Sequence, residues 1–267
     1  MSELVKRAIT GAIYVALTLG AAWAGPVTTT LLFLPVCLLA AREMHRLSGK
    51  GATYPDATFP MVAAALVYIT LALVQVVPRF TPMVAATVVF LVIVAGTLEI
   101  LWRPGASPAK EMGALLLVIF LVALPFGLIT ALMHGGPELF IGFMVILWTN
   151  DTGAYLVGRL IGRTGLLPRI SPKKTVEGFL GGVLLAVAAG FALAQLWPVL
   201  APWQWMSAAA VVAMASTLGD LLESAFKREA GVKDSGDILP GHGGILDRFD
   251  GFILALPAML ITVKLFS

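Results

Sequence analysis

The amino-acid sequence predicts an all-α, polytopic integral membrane protein. Of its 267 residues, 59% are hydrophobic and only 12% are charged, and the mean hydropathy is +0.94. Soluble domains carry roughly a quarter charged residues and somewhat under half apolar ones. The apolar residues also occur in runs of roughly 20, the length that an α-helix needs to cross a bilayer. The composition therefore excludes a soluble domain for most of the chain.

About nine apolar segments are candidate transmembrane helices, separated by short loops. They are roughly 8–25, 27–41, 57–77, 82–101, 112–133, 139–157, 178–197, 203–223 and 249–266. The second segment is short, and the sixth and eighth carry acidic residues near one end, so re-entrant segments would change the count. MSELVKR precedes the first apolar run as in a signal peptide, but no small-residue cleavage site followed by a soluble domain comes after it. We expect this first helix to be retained.

Basic residues are distributed unevenly among the loops. With a cytoplasmic N-terminus, sixteen of the eighteen Lys and Arg residues fall on the cytoplasmic side, and only Arg79 and Lys264 fall on the other. Cytoplasmic loops of membrane proteins are enriched in Lys and Arg. The pattern predicts a multi-pass protein of the cytoplasmic membrane with its charged loops in the cytoplasm. No basic stripe interleaved with aromatic residues occurs, so we expect no nucleic-acid partner. The single cysteine, Cys37, excludes an intrachain disulfide.

Residues that carry chemistry are concentrated in the C-terminal half. Residues 1–106 are predicted to be a scaffold of transmembrane helices that could supply oligomer contacts, and residues 107–267 a catalytic region. The charged stretch reads STLGDLLESAFKREAGVKDSGDILPGHGGILDRFD, from Ser216 to Asp250. Carboxylates bind hard cations such as Mg²⁺, whereas Lys, Arg and the backbone amides of glycine-rich loops bind phosphate. This stretch predicts a metal-dependent phosphate site at a membrane surface.

The spacing of the acidic residues suggests two helical faces. Asp220 and Glu223 are three residues apart on the eighth predicted span, so their side chains share a face. Asp247 and Asp250 repeat that spacing where the ninth span begins. Acids within or beside membrane spans are costly unless they are used or paired. We therefore predict that the two faces converge on one or two divalent cations, although any one acid alone is equally well explained as a helix-end charge.

The loop after the sixth span adds polar groups. The span ends in WTNDTG, which places Asn150 and Asp151 within an apolar run, and the loop contains the segment SPKKTVEG. Adjacent lysines and hydroxyl groups suit phosphate oxygens. Lysines before a span are also ordinary orientation signals, but orientation does not account for Thr175 and Glu177.

Residues 224–250 resemble the signature of the phosphatidate cytidylyltransferases, or CDP-diacylglycerol synthases. The matching residues are Ser224, Lys227, Arg228, Lys233, Asp234, Gly236, Leu239, Pro240, His242, Gly243, Gly244, Asp247, Arg248 and Asp250. The Asn150–Asp151 pair, SPKKTVEG and the Gly219–Asp220 pair also resemble family elements in family order. The resemblance is close in the C-terminal half and rests only on a run of hydrophobic helices before it.

The resemblance implies a nucleotidyltransferase of phospholipid biosynthesis that converts CTP and phosphatidate into CDP-diacylglycerol and pyrophosphate. It implies that Mg²⁺ is the cofactor and that a second cation would fit the reaction. It also implies a homodimer, with membrane lipids as further partners. The metal ligands that it implies are Asp220, Asp247, Asp250, Glu223 and Asp151. The catalytic residues are Asp220, Asp247, Lys227 and Arg248. The residues that bind substrate phosphates are Ser171, Lys173, Lys174, Thr175, Ser224, Arg228, Lys233, His242, Gly243 and Gly244.

Two other functions remain open at this point. A cation-coupled transporter would also use acids within membrane spans. A related enzyme with another lipid acceptor, or a CTP-dependent lipid kinase, would use the same phosphate and metal chemistry. The glycine-rich basic loop after Glu223 favours phosphate chemistry over ion passage.

Overall fold

The computed structural model describes residues 3–48, 57–236 and 243–266, with side chains from Gly11 onward. Packing divides the chain into two compact units. The first unit comprises residues 1–134 and 229–249, and the second comprises residues 135–228 and 250–267. The boundaries of these units do not coincide with the boundary predicted between residues 106 and 107. The scaffold role of residues 1–106 and the catalytic role of residues 107–267 stay predictions.

The described elements are helical apart from one β-hairpin. In chain order they are α1 (Glu3–Ala24), α2 (Pro26–Ser48), α3 (Thr58–Val76), α4 (Pro82–Trp102), α5 (Pro108–Leu117), a π-helical turn (Val118–Ala123), α6 (Leu124–Gly127), α7 (Ile129–Leu132), a 3-10 turn (Met133–Gly135), α8 (Pro137–Ile161), β1 (Gly165–Leu167), β2 (Ser171–Thr175), α9 (Val176–Leu196), α10 (Pro202–Glu229), α11 (Leu246–Phe249) and α12 (Phe252–Phe266). Several helices begin at proline, whose missing N–H needs no partner in the first turn.

The predicted fold class is confirmed. Within the described residues, eight helical segments are long and apolar enough to cross a membrane, and Gly11–Ala24 of α1 adds a shorter apolar stretch. The second span was predicted to end near residue 41, but α2 continues to Ser48 through polar residues that hydropathy alone does not detect. The fifth span was predicted as one helix, but a π-helical turn interrupts it just before Pro125, which lacks a backbone donor.

An aromatic cluster holds α11 within the first unit. Phe249 of α11 packs against Phe33 of α2 and Phe126 of α6, with ring centroids 5.9 and 5.3 Å apart. Tyr14 of α1 lies 5.8 Å from Phe249 in an edge-to-face arrangement. Such pairs contribute about 0.5–1.5 kcal/mol each beyond the area they bury. The short α11, which carries Asp247 and Arg248, is thereby fixed to longer helices.

In the second unit, glycines allow α8 and α9 to approach closely. A Cβ atom on Gly181 would lie 2.5 Å from Val157 Cβ, and one on Gly182 would lie 2.8 Å from the backbone oxygen of Asn150. Small residues permit this close backbone packing between transmembrane helices.

The sequence predicted only a loop between the sixth and seventh spans, and the structure has a β-hairpin there, between α8 and α9. Strands β1 and β2 are antiparallel, with Gly165 opposite Thr175 and Leu167 opposite Ser171. Thr175 also caps α9, because its side-chain oxygen accepts a hydrogen bond from the Gly178 N–H at 3.1 Å. The hairpin therefore has a fixed connection to the start of a membrane-spanning helix.

The close packing of α8 and α9 predicts a sharp response to added volume. Gly182→Ala should lower the free energy of unfolding by about 1–3 kcal/mol. The new methyl group would overlap the backbone oxygen of Asn150, which cannot shift without moving α8. Gly113→Ala in α5 is the matched control, since open space surrounds that position and alanine favours the helix. Thermal unfolding of both variants in detergent measures the difference. Equal melting temperatures for the two variants would contradict the close packing of α8 and α9 at Gly182.

Candidate active site

Asp220 of α10 contacts two groups in the second unit. Its Oδ2 forms an ion pair with Lys174 Nζ of the hairpin, and its Oδ1 accepts a hydrogen bond from Ser224 Oγ at 3.3 Å. Ser224 lies one helical turn after Asp220 and is buried. The carboxylate that the sequence predicts as a metal ligand is therefore held by two of the predicted phosphate-binding residues.

The strand geometry distinguishes the two adjacent lysines. Successive side chains of a β-strand point to opposite faces, so Lys174 reaches Asp220 while Lys173 faces away and is exposed. Ser171, at the start of β2, is half-buried, and Thr175 serves as the cap of α9. The structure brings Lys174 alone of these four residues into contact with a predicted metal ligand.

A buried ion pair lies one turn further along α10. Glu223 is completely buried, and one of its carboxylate oxygens is 2.5 Å from Lys227 Nζ. A buried charge of this kind is tolerated only with a partner. Arg228, by contrast, is exposed, and its Nε donates a hydrogen bond to the Ile170 backbone oxygen at 3.3 Å. This bond connects the C-terminal end of α10 to the turn of the hairpin.

Asp250 lies in a bend rather than on a continuous helix. The predicted helical face shared by Asp247 and Asp250 is interrupted, since α11 ends at Phe249 and α12 begins at Phe252. The Asp250 Oδ1 atom accepts the Gly251 N–H at 2.6 Å, which stabilises the bend. A Cβ atom on Gly219 would lie 2.6 Å from the Asp250 backbone oxygen. Glycine before Asp220 therefore lets α10 pack directly against the bend.

Four carboxylates of the second unit lie close enough to one another to interact electrostatically. Asp250 interacts electrostatically with Asp220, Glu223 and Asp151. Asp151 of α8 is exposed, accepts a hydrogen bond from Asn150 Nδ2 at 3.3 Å, and also interacts with Lys174. Four of the five predicted metal ligands thus lie in this neighbourhood, together with a predicted phosphate-binding lysine.

Asp247, the fifth predicted ligand, belongs to the first unit and organises a loop there. Its Oδ2 accepts hydrogen bonds from the Ser235 N–H at 2.9 Å, the Ser235 hydroxyl at 3.0 Å and the Gly244 N–H at 2.8 Å. Gly243 has a φ of +81°, and a Cβ atom there would lie 2.8 Å from Asp247 Oδ2. Both predicted phosphate-binding glycines therefore lie against this carboxylate. Lys233 and Arg248 are exposed, and His242 lies outside the described residues.

Glu43 was missed by the sequence analysis. It lies in α2, is completely buried, and accepts hydrogen bonds from the same loop. Residues 1–106 consist mainly of apolar runs without a recognisable motif, so their sequence indicated little chemistry. The available signal was a lone carboxylate in the segment AREMHR, which directly follows an apolar run.

The donor atoms in the second unit fit a hard cation. Asp151, Asp220 and Asp250 offer only oxygen, the ligand that Mg²⁺ prefers. Within residues 3–48, 57–236 and 243–266, however, no three His, Cys, Asp or Glu side chains are arranged to hold a metal together. Asp220 and Glu223 each pair with a lysine instead. Mg²⁺ usually takes one or two carboxylates and completes its coordination with water and substrate phosphates.

The comparison with protein families decides the classification. The sequence profile of the cytidylyltransferase family matches residues 5–266. The chain belongs to the cytidylyltransferase family. The predicted family resemblance is thereby confirmed, and the match extends through the apolar helices of the N-terminal half, where the resemblance was least specific.

Similar members of the cytidylyltransferase family have been named in several bacteria. A phosphatidate cytidylyltransferase of Staphylococcus epidermidis is 50% identical over 118 residues, which are 44% of this chain and 45% of the relative. The phosphatidate cytidylyltransferase of Bacillus subtilis is 48% identical over 126 residues, 46% of each chain. That of Staphylococcus aureus (strain COL) is 49% identical over 120 residues, 44% of this chain and 45% of the relative. The match thus covers less than half of the length of these relatives.

Proposed function

We propose that this chain is a phosphatidate cytidylyltransferase, which transfers the cytidylyl group of CTP to phosphatidate and releases pyrophosphate. The observation that carries the proposal is the contact between Lys174 and Asp220. In a member of the cytidylyltransferase family, this contact joins a phosphate-binding type of side chain to a metal-binding type. Phosphatidate as the acceptor is supported by the names of the similar bacterial proteins.

The reaction in this proposal is a single substitution at phosphorus. A phosphate oxygen of phosphatidate attacks the α-phosphorus of CTP, and the bond from that phosphorus to the oxygen bridging to the β-phosphorus breaks. The bonding electrons leave with pyrophosphate. A phosphate monoester is already anionic at neutral pH, so no residue has to remove a proton from it. The protein therefore has to align two anions that repel each other and to neutralise the charge of the leaving group.

The Lys174–Asp220 ion pair belongs to the substrate-free protein in this proposal. With CTP bound, its phosphates would offer Lys174 a charge-assisted partner. Asp220 would then be available to hold Mg²⁺, and the ion would supply charge neutralisation at the phosphates. Ser224 keeps Asp220 oriented through its hydrogen bond to Oδ1. Asp250 and Asp151 would supply oxygen ligands for the same ion or a second one, and Asp247 is the further ligand that the family resemblance implies.

The remaining polar residues are proposed to bind phosphates of the two substrates. They are Ser171, Lys173, Thr175, Lys227, Arg228, Lys233, His242, Gly243, Gly244 and Arg248. We place the reaction on the cytoplasmic side of the membrane, where CTP is present, and the distribution of basic residues supports this side. A homodimer is proposed from the family resemblance.

Product analysis with labelled CTP tests the proposed function. The purified full chain is incubated with phosphatidate, Mg²⁺ and CTP labelled at either the α- or the γ-phosphate. Transfer of the α-label to lipid, with the γ-label released in pyrophosphate, supports cytidylyl transfer. Transfer of the γ-label to lipid would instead identify a lipid kinase. Cation flux in proteoliposomes with neither transfer would identify a transporter.

The adjacent lysines provide a matched pair of variants. Lys174→Met should lower kcat/KM for CTP by about 100-fold, because a cation at a developing negative charge contributes on this scale. Lys173→Met removes the same charge from the opposite face of β2 and should cause a clearly smaller loss. Initial rates of pyrophosphate release across CTP concentrations measure both. A larger loss for Lys173→Met would contradict the assignment of Lys174 to the reacting phosphates.

A further inference from the structure

We propose that Glu43 is a positioning residue, which holds Asp247 in place through Ser235 and the backbone of residues 244–246. The inference concerns a residue outside the family signature. It rests on the proposed function in one respect, since the effect on turnover requires that Asp247 takes part in cytidylyl transfer.

The Glu43 carboxylate bridges two parts of the chain that are far from it in sequence. Its Oε1 accepts the Ile245 N–H at 3.0 Å, and its Oε2 accepts the Leu246 N–H at 2.8 Å. The same Oε2 accepts the Ser235 hydroxyl at 2.9 Å. One completely buried side chain of α2 thus fixes both the start of α11 and the position of Ser235.

Ser235 connects Glu43 directly to Asp247. The Ser235 Oγ atom lies 2.9 Å from Glu43 Oε2 and 3.0 Å from Asp247 Oδ2. A hydroxyl group has one proton, so the two carboxylates share this donor. Asp247 Oδ2 also accepts the N–H groups of Ser235 and Gly244. A shift of the Glu43 carboxylate must therefore move donors that orient Asp247.

The glycines of this loop leave space for the Glu43 carboxylate. A Cβ atom on Gly236 would overlap Glu43 Oε1. A Cβ atom on Gly244 would lie 2.5 Å from Glu43 Oε2 and 2.7 Å from the Gly236 nitrogen. Gly236 and Gly244 both belong to the family signature, and here they have a packing reason that does not involve substrate. The loop sequence and the buried glutamate are therefore complementary in shape.

The charge of Glu43 matters as well as its shape. Each of its carboxylate oxygens accepts an N–H group, and Oε2 also accepts a hydroxyl. In Glu43→Gln, an amide NH₂ group takes the place of one oxygen and presents donors to a donor. We therefore expect this variant to loosen the loop, although the side chain keeps its volume.

Hydrogen exchange tests the hold of Glu43 on the loop without substrate or metal. In the purified full chain, Glu43→Gln should speed exchange at the amides of Ser235, Gly244, Ile245 and Leu246 at least tenfold. Glu111→Gln is the matched control, because Glu111 is a buried carboxylate of the same unit that pairs with Arg103, the residue after the end of α4. That control should leave loop exchange unchanged. Unchanged exchange in Glu43→Gln, or equal acceleration in both variants, overturns the proposal.

Kinetics then separates positioning from a merely structural role. Glu43→Gln should lower kcat at least tenfold and raise the Mg²⁺ concentration for half-maximal rate, with KM for phosphatidate within about twofold. Glu43→Asp keeps the charge and should recover part of kcat. A loosened loop with wild-type kcat and Mg²⁺ dependence overturns the proposal.

Ser235→Ala tests the same link independently, in case the Glu43→Gln variant does not fold. It removes only the shared hydroxyl and should cause the same changes in kcat and Mg²⁺ dependence to a smaller extent. Wild-type values in Ser235→Ala would overturn the link between the two carboxylates. A wild-type protein without cytidylyl transfer would instead refute the proposed function, and the exchange experiment would still decide whether Glu43 holds the loop.

Discussion

Asp220→Asn is expected to abolish cytidylyl transfer while the protein remains folded and inserted in the membrane. The amide has the same shape but no charge, so it is a poor ligand for Mg²⁺ and cannot neutralise Lys174, its partner in the substrate-free protein. We expect kcat to fall by at least about a thousandfold, the scale seen when a group central to charge stabilisation is removed. Single-turnover transfer of α-labelled CTP measures the loss.

Glu229→Gln is the matched control for this prediction. Glu229 is the last residue of α10 and is exposed, so the same chemical change there should leave kcat within about twofold, as surface substitutions usually do. Both variants should elute as the wild-type protein in detergent. A folded Asp220→Asn variant with more than a tenth of the wild-type rate would contradict the proposed role of Asp220 as a metal ligand.

The sequence alone was sufficient for the membrane architecture. Long apolar runs are a strong local signal for transmembrane α-helices. A run of about 20 apolar residues is long enough to cross the bilayer as a helix, and the helix pairs its backbone donors and acceptors within the run. The end of α2 differed from the prediction because of its polar residues. The helix α2 continues through residues 42–48, and these polar turns carry Glu43 beyond the apolar run used to detect the span.

The local motifs also indicated which residues to consider, but not how they pair. Adjacent lysines look equivalent in a sequence, and only the alternation of β2 directs Lys174 rather than Lys173 towards Asp220. A short basic strand has too few residues for its alternation to be recognised. Spacing alone likewise predicted one face for Asp247 and Asp250, whereas the bend at Gly251 interrupts the helix between them.

Glu43 shows the limit of local inference most clearly. Its hydrogen bonds reach residues 192 and 203 positions away in the sequence, and no periodicity or motif encodes a contact at that distance. Only the folded chain shows that this carboxylate is buried and that loop amides surround it.

Asp247→Asn is expected to lose activity to a similar extent as Asp220→Asn, for a partly different reason. Asp247 Oδ2 accepts three hydrogen bonds from the loop, and an asparagine carbonyl oxygen can take its place. The fold should therefore survive, while the charge that the proposed metal ligand would offer is lost. We expect kcat to fall by at least about a thousandfold and the melting temperature to change little.

Asp247→Ala separates the two roles of this residue. It removes the charge and also leaves the Ser235 and Gly244 N–H groups without their acceptor, at a cost of about 1–3 kcal/mol for each buried donor. We expect both substitutions to be inactive but only Asp247→Ala to melt clearly earlier. Glu229→Gln, at an exposed acid that is not among the signature residues, is again the control and should change neither property appreciably. A stable and active Asp247→Asn variant, combined with an unstable Asp247→Ala variant, would assign Asp247 to holding the loop alone, and the metal would then depend on the carboxylates of the second unit.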